Sequence, residues 1–360
     1  MTQNKNKVAI ISTSLGSGGA ERFASLLSFM LEKLNIEVHN IIINDVVDYE
    51  YAGKLMNLGI ESTDSFPFFK KIRKGFLLNH YLKKNGINGI IDNRPRNNLT
   101  REIITKWIYG DRRKWFLVHS YNTDTYFPKP IFFSKFLYQN AEKIICVSQA
   151  IEEIIKYKFD FKNTVTIHNL YDFSKIEIEK KIPISEQYIM YFGRFDEKVK
   201  NFSLMLEAFY LSKIHLQGYK LLLMGEGPDL GIIQENIKLL QLEEFVIIYS
   251  FNKNPFQFVK QAKFTILTSR YEGFPLSIVE SLALGTPVIS VDCKSGPNEL
   301  IKDGFNGLLV ENNNPHLFAT AMKQLVDDTN LYDFCKKNAA KSVEHLSLET
   351  ISKQWESILF

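Results

Sequence analysis

Cysteine is scarce in this chain of 360 residues: Cys146, Cys293 and Cys335 stand far apart and are odd in number. Their spacing suits neither paired thiols nor a metal site, which argues against a disulfide framework and fits a reducing cytoplasm. Long apolar runs are missing as well. No stretch reaches the roughly 18 uninterrupted apolar residues of a membrane-spanning helix. The polar start MTQNKNK gives way directly to a strand, with no secretory apolar segment. The first glycine-rich turn also lacks the G-x-G-x-x-G spacing of a dinucleotide site.

What is present describes a globular α/β protein. Apolar residues make up 45% and charged residues 23%, and the length suits two domains with a sizeable core. The net charge of +4 hides a split: residues 1–170 carry 24 Lys and Arg against 16 Asp and Glu, the remainder 20 against 24. A basic first half expects an anionic partner. No nucleic-acid-binding motif accompanies the charge, so a membrane surface or a phosphorylated acceptor is expected, and no nucleic acid.

The most informative stretch is FTILTSRYEGFPLSIVESLALGTPVISV, residues 264–291. It reads as a short β-branched strand, a turn-rich loop, a helix from Leu276 to Leu284 and a second buried strand from Val288. Gly285 suits the position after the helix, and Pro275 suits its first position. In an open parallel sheet such a loop lies at the carboxyl edge, where ligands bind, and the helix start offers free N–H groups to an anion. Glu272 sits on the loop and Glu280 eight residues on. Ionised carboxylates are acceptor-only groups suited to sugar hydroxyls. As a bare pair they read as ordinary polar residues of a loop and a solvated helix face.

Two further loops follow predicted strands in this half. After Tyr188–Phe192 comes GRFDEKVKN, with Arg194 at the strand end and Lys200 just before a helix near Ser203. Cations here can neutralise a diphosphate, and Lys198 competes with Lys200 for that role. After Lys220–Met224 comes Gly225-Glu226-Gly227-Pro228, a turn that exposes backbone.

In the first half, a strand at Val8–Ser12 leads through Gly16, Gly18 and Gly19 into an amphipathic helix. A second strand is expected over Glu37–Asn44. Residues 65–85 place Lys70, Arg73 and Lys74 among aromatic and aliphatic residues of a helix. That helix either lies on an anionic bilayer or packs on the core with a solvated basic face. Strands at Ile87–Asp92 and Trp115–His119 are each expected to run into polar loop, and His119 ends the second. Ser148 is read as the cap of the helix near Ala150 rather than as a nucleophile. The charged run from Ser174 to Lys181 reads as interdomain linker.

The text EGFPLSIVESLALGTPVI, with GRFDEKVKN, GEGP, SGPNEL and DGFNGLLV in that order, closely resembles the family-4 retaining glycosyltransferases of GT-B fold, also called group 1. The resemblance spans nearly the whole chain. It implies two Rossmann-like domains facing across a cleft: 1–173 on the acceptor side, a linker over 174–187, and a nucleotide-sugar domain over 188–345. A last helix, about 346–360, would cross back to the first domain. Arg194 and Lys200 would hold the diphosphate, Glu280 the ribose and Glu272 the hexose. Gly225, Glu226 and Gly227 would lie near the base, and Gly273, Phe274, Pro275 and Leu276 would complete the donor site. His119 would approach the transferred sugar, and Gly16, Gly18 and Gly19 would line the acceptor side with Lys70, Arg73 and Lys74. His168 and Leu170 depart from the family's usual P-N-G-V-D.

No D-x-D triplet occurs, so no metal or other cofactor is expected. LGSGGAER and CKSGPNELI look most like transferases that extend undecaprenyl-diphosphate-linked saccharides in bacterial glycan synthesis. The expected partners are therefore a UDP-linked nucleotide-sugar, a lipid-linked saccharide and an anionic membrane, with the enzyme peripheral on its cytoplasmic face. A transferase with a soluble or protein acceptor, a GT-B epimerase and a non-catalytic sugar-nucleotide-binding protein are the alternatives.

Overall fold

The computed structural model describes residues 6–16, 18–60, 67–172, 184–252 and 254–360, with the side chains of 67–71 outside that description. Lys70 and the Ser174–Lys181 run therefore fall outside it. The chain forms two units, Met1–Tyr171 with Leu348–Phe360, and Asp172–Ser347.

The first unit is built on β1 (Lys7–Ser12), β2 (Glu37–Ile42), β3 (Lys54–Asn57), β4 (Gly89–Asp92), β5 (Arg113–Val118), β6 (Lys143–Cys146) and β7 (Thr164–Thr166). They pair in parallel in the order β3-β2-β1-β4-β5-β6-β7. Runs such as VAII and WFLV are buried on both faces, as a sheet covered by helices on each side requires. The order reverses between β1 and β4, so the loops leaving those two strands flank the switch point.

Helix Gly19–Lys33 covers one face, with Phe23, Leu27, Met30 and Leu31 in the core. The final helix, Leu348–Leu359, packs beside it and buries Ile351, Trp355 and Leu359 in the same cluster. Trp115 Nε1 donates to Ile358 O at 3.3 Å and Arg113 Nη1 to Leu359 O at 2.5 Å. The last residues are thus part of the first unit's core, as the sequence implies. Leu170, one of the departures from the family text, is fully buried in that core.

Polar loops follow β4 and β5 as expected, over 93–98 and 119–130, and each then runs into a helix that the sequence pattern did not show, Leu99–Tyr109 and Ile131–Tyr138. Asn98 caps the first, its side chain accepting from Arg101 N at 3.0 Å. Strand β3 also escapes the sequence pattern, because KLMN is half-exposed and lacks β-branched residues. Ser148 is the expected cap, its Oγ accepting from Ile151 N at 3.3 Å.

The second unit holds β8 (Tyr188–Phe192), β9 (Lys220–Met224), β10 (Val246–Tyr249), β11 (Thr265–Leu267), β12 (Val288–Val291) and β13 (Gly307–Val310). These strands are parallel in the order β10-β9-β8-β11-β12-β13. The same reversal recurs between β8 and β11. Among the described residues, no helix is long and apolar enough to cross a membrane.

Candidate functional site

Because β8 and β11 are neighbours at the switch point, the loops that leave them are neighbours too. After β8 the chain makes one helical turn, Glu197–Lys200, whose cap Asp196 accepts from Val199 N at 3.3 Å. Asn201 then adopts a left-handed conformation (φ 57°), which asparagine tolerates better than most residues, and helix Phe202–Ser212 begins. Thr268 Oγ1 donates to Lys200 O at 2.9 Å and to Asn201 O at 3.1 Å, and Arg270 N donates to Val199 O at 2.8 Å. These bonds join the two loops through backbone.

The consequence is an ion pair. Lys200 Nζ lies 2.6 Å from Glu272 Oε1, and Ser269 Oγ donates to the same oxygen at 2.6 Å. The lysine and glutamate side chains are 20% and 11% exposed, so solvent screens them only in part. Lys198, the competing cation, is exposed on the outside of the same turn. Arg194 is exposed on the loop between β8 and that turn, and its carbonyl accepts from Tyr191 OH at 2.9 Å.

The loop after β9 closes against the one after β8. Gly193 N donates to Met224 O at 3.0 Å and Phe195 N to Glu226 O at 2.8 Å. This approach explains both glycines of Gly225-Glu226-Gly227: a Cβ on Gly225 would sit 1.9 Å from Gly193 O, and one on Gly227 would sit 2.2 Å from Phe195 O. Glu226 itself points to solvent.

Helix Leu276–Ala283 starts beyond Glu272. Pro275 is its N-cap rather than its first helical residue, and its carbonyl accepts from Ile278 N at 3.1 Å. Ser295 Oγ fixes Gly273 O at 2.8 Å, and Gly273, Phe274, Pro275 and Leu276 are all buried. Glu280 is 2% exposed, in a helix whose Ile278, Val279 and Leu282 enter the core. The solvated-face reading therefore does not hold for Glu280, whereas Glu272 does lie on the loop.

In the first unit the loops after β1 and β4 occupy the corresponding place. Gly16 is needed for packing: a Cβ there would meet Val46 Cγ1 at 2.3 Å. Gly18 caps the first helix, and Gly19 opens it with nothing near its missing Cβ. Lys74 Nζ donates to Ile43 O at 2.6 Å, so this ammonium ties helix Pro67–Lys84 to the end of β2. Arg73 is exposed on the same helix.

His119 Nε2 lies 2.5 Å from Asn93 Oδ1. Asn93 Nδ2 donates to Ala20 O at 2.9 Å, which fixes the amide's orientation and makes Oδ1 the acceptor. His119 is therefore protonated at Nε2, leaving Nδ1 as a hydrogen-bond acceptor. Burial and the nearby Arg96 cation lower its pKa from 6.5 to about 3. It is a neutral hydrogen-bonding group.

Beneath it lies a network that the sequence did not reveal. Asp92 at the end of β4 binds Arg94 (Nη2 to Oδ2, 2.6 Å) and Tyr109 OH (2.8 Å). Burial pushes Asp92 up, but Arg94 and Arg96 overcome this and hold the carboxyl below its usual range. Arg96 is fully buried among the rings of Phe116, Tyr126 and Tyr138 and donates to the carbonyls of Asp92, Arg94 and Leu117. Asn93 and Arg96 stand in the DNRPR run right after β4, and strand-end placement was the one signal that could have marked them.

The family profile described as Glycosyl transferases group 1 matches residues 172–342. The Campylobacter jejuni N-acetylgalactosamine-N,N'-diacetylbacillosaminyl-diphospho-undecaprenol 4-alpha-N-acetylgalactosaminyltransferase is 31% identical over 355 residues, covering 93% of this chain and 94% of that one. Sucrose-phosphate synthase from Thermosynechococcus elongatus superposes with TM-score 0.81 at 18% identity, over 99% of this chain and 98% of that one. A Staphylococcus aureus TarM mutant in complex with fondaparinux, alpha-GlcNAc-glycerol and UDP gives TM-score 0.77 at 17% identity, over 98% and 99%. These likenesses show the fold, two Rossmann-like parallel-sheet domains of GT-B type. With a relative this similar along nearly its whole length, the chain belongs to the glycosyl transferases group 1.

Proposed function

We propose that this glycosyltransferase is a retaining enzyme that moves a hexose or N-acetylhexosamine from a UDP-sugar to an undecaprenyl-diphosphate-linked saccharide. The observation that carries the donor half is the Lys200–Glu272 pair at the second sheet's switch point, with Glu280 buried on the helix that follows. A relative named for an acceptor on diphospho-undecaprenol supports the acceptor half, as does the basic first half of the sequence.

In this reading Arg194, Lys200 and the start of helix Leu276–Ala283 supply the positive field for the diphosphate, and no metal is required. Lys200 has three N–H donors and gives one to Glu272, leaving two for phosphate oxygens. Gly225, Glu226 and Gly227 border the base, Glu280 binds the ribose and Glu272 the hexose hydroxyls. His119 offers Nδ1 to a hydroxyl of the transferred sugar, and Gly18, Gly19 and Arg73 belong to the acceptor side.

The glycosidic bond breaks with its electron pair leaving on the diphosphate, a weak base that needs no protein acid, unlike a sugar alkoxide. The acceptor hydroxyl bonds to the anomeric carbon on the same face, and its proton passes to a departing phosphate oxygen. The protein's work is orientation and charge stabilisation. The enzyme acts as a peripheral protein on the cytoplasmic face of the membrane.

The test is incubation with a panel of radiolabelled UDP-sugars and a membrane lipid extract. Label entering the lipid phase supports the proposal. Transfer only to water-soluble acceptors overturns its acceptor half, and conversion of donor with no acceptor overturns the transferase reading.

A further inference from the structure

The connections β3 to β4, β4 to β5 and β5 to β6 all step the same way across the first sheet. Right-handed crossovers then put helices Pro67–Lys84, Leu99–Tyr109 and Ile131–Tyr138 side by side on one face. They do pack in that order. Gly75 of the first faces the second, where Ile108 Cδ1 lies within ordinary contact of the position a Cβ there would take. Lys106 Nζ joins the second to the third, donating to Phe136 O at 2.7 Å and lying 4.4 Å from the Phe136 ring centroid.

The outer side of this layer is apolar where water should meet it. Trp107 is 73% exposed, Phe76 68%, Phe132 62% and Phe136 54%, with Ile72 and Ile104 also exposed. Large exposed apolar groups concentrated in this way mark an interaction surface. On the three helices themselves the exposed charge has one sign, although Lys135 pairs with Asp160 at 3.3 Å and Asp111 and Glu142 lie at the edge near Trp107 and Phe136. Arg73, Lys83, Lys84, Arg101 and Lys135 are exposed on the three helices. The single acid there, Glu102, has a side chain 1% exposed and is bound by Arg101.

We infer that this three-helix face is a bilayer-docking surface for anionic lipid, with Trp107, Phe132 and Phe136 entering the headgroup region. Aromatic rings ringed by Lys and Arg suit the membrane interface, where apolar bodies are buried and cations meet lipid phosphates. A second copy of the chain is the poorer occupant, because it would set cations against cations. The inference deepens the lipid-acceptor part of the function proposed above and rests on it, yet its readout needs no sugar nucleotide.

The protein carries its own probe. Trp115 and Trp355 are buried at 1% and 0% exposure, so Trp107 is the exposed one of the three tryptophans. Mixing the full chain with phosphatidylglycerol–phosphatidylcholine vesicles is expected to blue-shift its fluorescence and protect it from acrylamide. The shift should be absent with pure phosphatidylcholine, weaken as salt rises, and vanish in Trp107→Phe. Phe132→Ser with Phe136→Ser, two exposed positions, should weaken co-sedimentation with the vesicles at least tenfold while leaving UDP binding unchanged. Three results overturn the inference: no shift, equal binding to neutral vesicles, or a concentration-dependent shift without vesicles, which would mark a self-association face. If UDP binding persists in those cases the donor reading stands, whereas vesicle docking without UDP binding condemns the donor reading alone.

Discussion

Lys200 and Glu272 are 72 residues apart in the chain, and their charged atoms meet at 2.6 Å. The pair exists because β8 and β11 leave the sheet side by side. It sets a cation and a carboxylate at a fixed separation on the carboxyl edge. Lys200→Ala is expected to weaken UDP-sugar binding by about 10- to 100-fold, the equivalent of one charge-assisted hydrogen bond of roughly 1.5–3 kcal/mol. Isothermal titration calorimetry reads this directly. Lys198→Ala on the outside of the turn should change it little.

Glu280→Gln keeps the side-chain volume and removes the charge. The expected result is nucleotide binding weakened by about tenfold, since a neutral acceptor bonds a ribose hydroxyl less strongly than a carboxylate. The melting temperature should hold or rise, because a buried charge is removed. A large fall in melting temperature with binding intact would assign Glu280 to the fold instead.

For His119 the sign follows from its pKa of about 3, against 6.5 for an ordinary histidine. Between those values the unfolded chain binds a proton that the folded chain does not. Stability is therefore full above pH 6.5 and declines as pH falls toward 3. His119→Gln should flatten that part of a plot of melting temperature against pH. Transfer rates should show no inflection near neutrality that disappears in this variant, because the imidazole is already neutral there.

Arg96→Leu leaves the carbonyls of Asp92, Arg94 and Leu117 without their donor and takes a cation from Asp92. Breaking a buried charge cluster this way is expected to cost about 3–5 kcal/mol, read from urea denaturation. Arg96→Lys should recover little of it, since one ammonium cannot reproduce the planar fork.

Gly227→Ala would drive a Cβ into Phe195 O at a backbone φ of +159°. The loop carrying Arg194 must shift to admit it. Donor affinity should fall by about tenfold or more, while the first unit, lacking this loop, stays unaffected in hydrogen exchange.

The parts of the fold that could be read from sequence are those where local pattern and tertiary role coincide. Strands β8, β9, β10 and β12 are short, largely apolar runs, aromatic in β8 and aliphatic or β-branched in the others, and their limits match the expectation. Helices Leu99–Tyr109 and Ile131–Tyr138 were hidden because Ile103, Ile104, Trp107 and Phe132 are apolar yet point outward, which blurs the helical stripe. Arg194 and Glu272 could be singled out because each stands on a loop that leaves a strand, whereas Glu280 lies inside the helix that follows. Asn93 and Arg96 could not be singled out, since their meaning comes from Ala20, His119 and Leu117, contacts that no local spacing announces.

The most direct measurement is calorimetric titration of the purified chain with UDP and UDP-sugars, beside Lys200→Ala and Glu280→Gln. Saturable binding to the native chain that weakens in both variants is the result expected from a nucleotide-sugar site at the second sheet's switch point. No heat with any sugar nucleotide, or affinity identical in all three proteins, would contradict it.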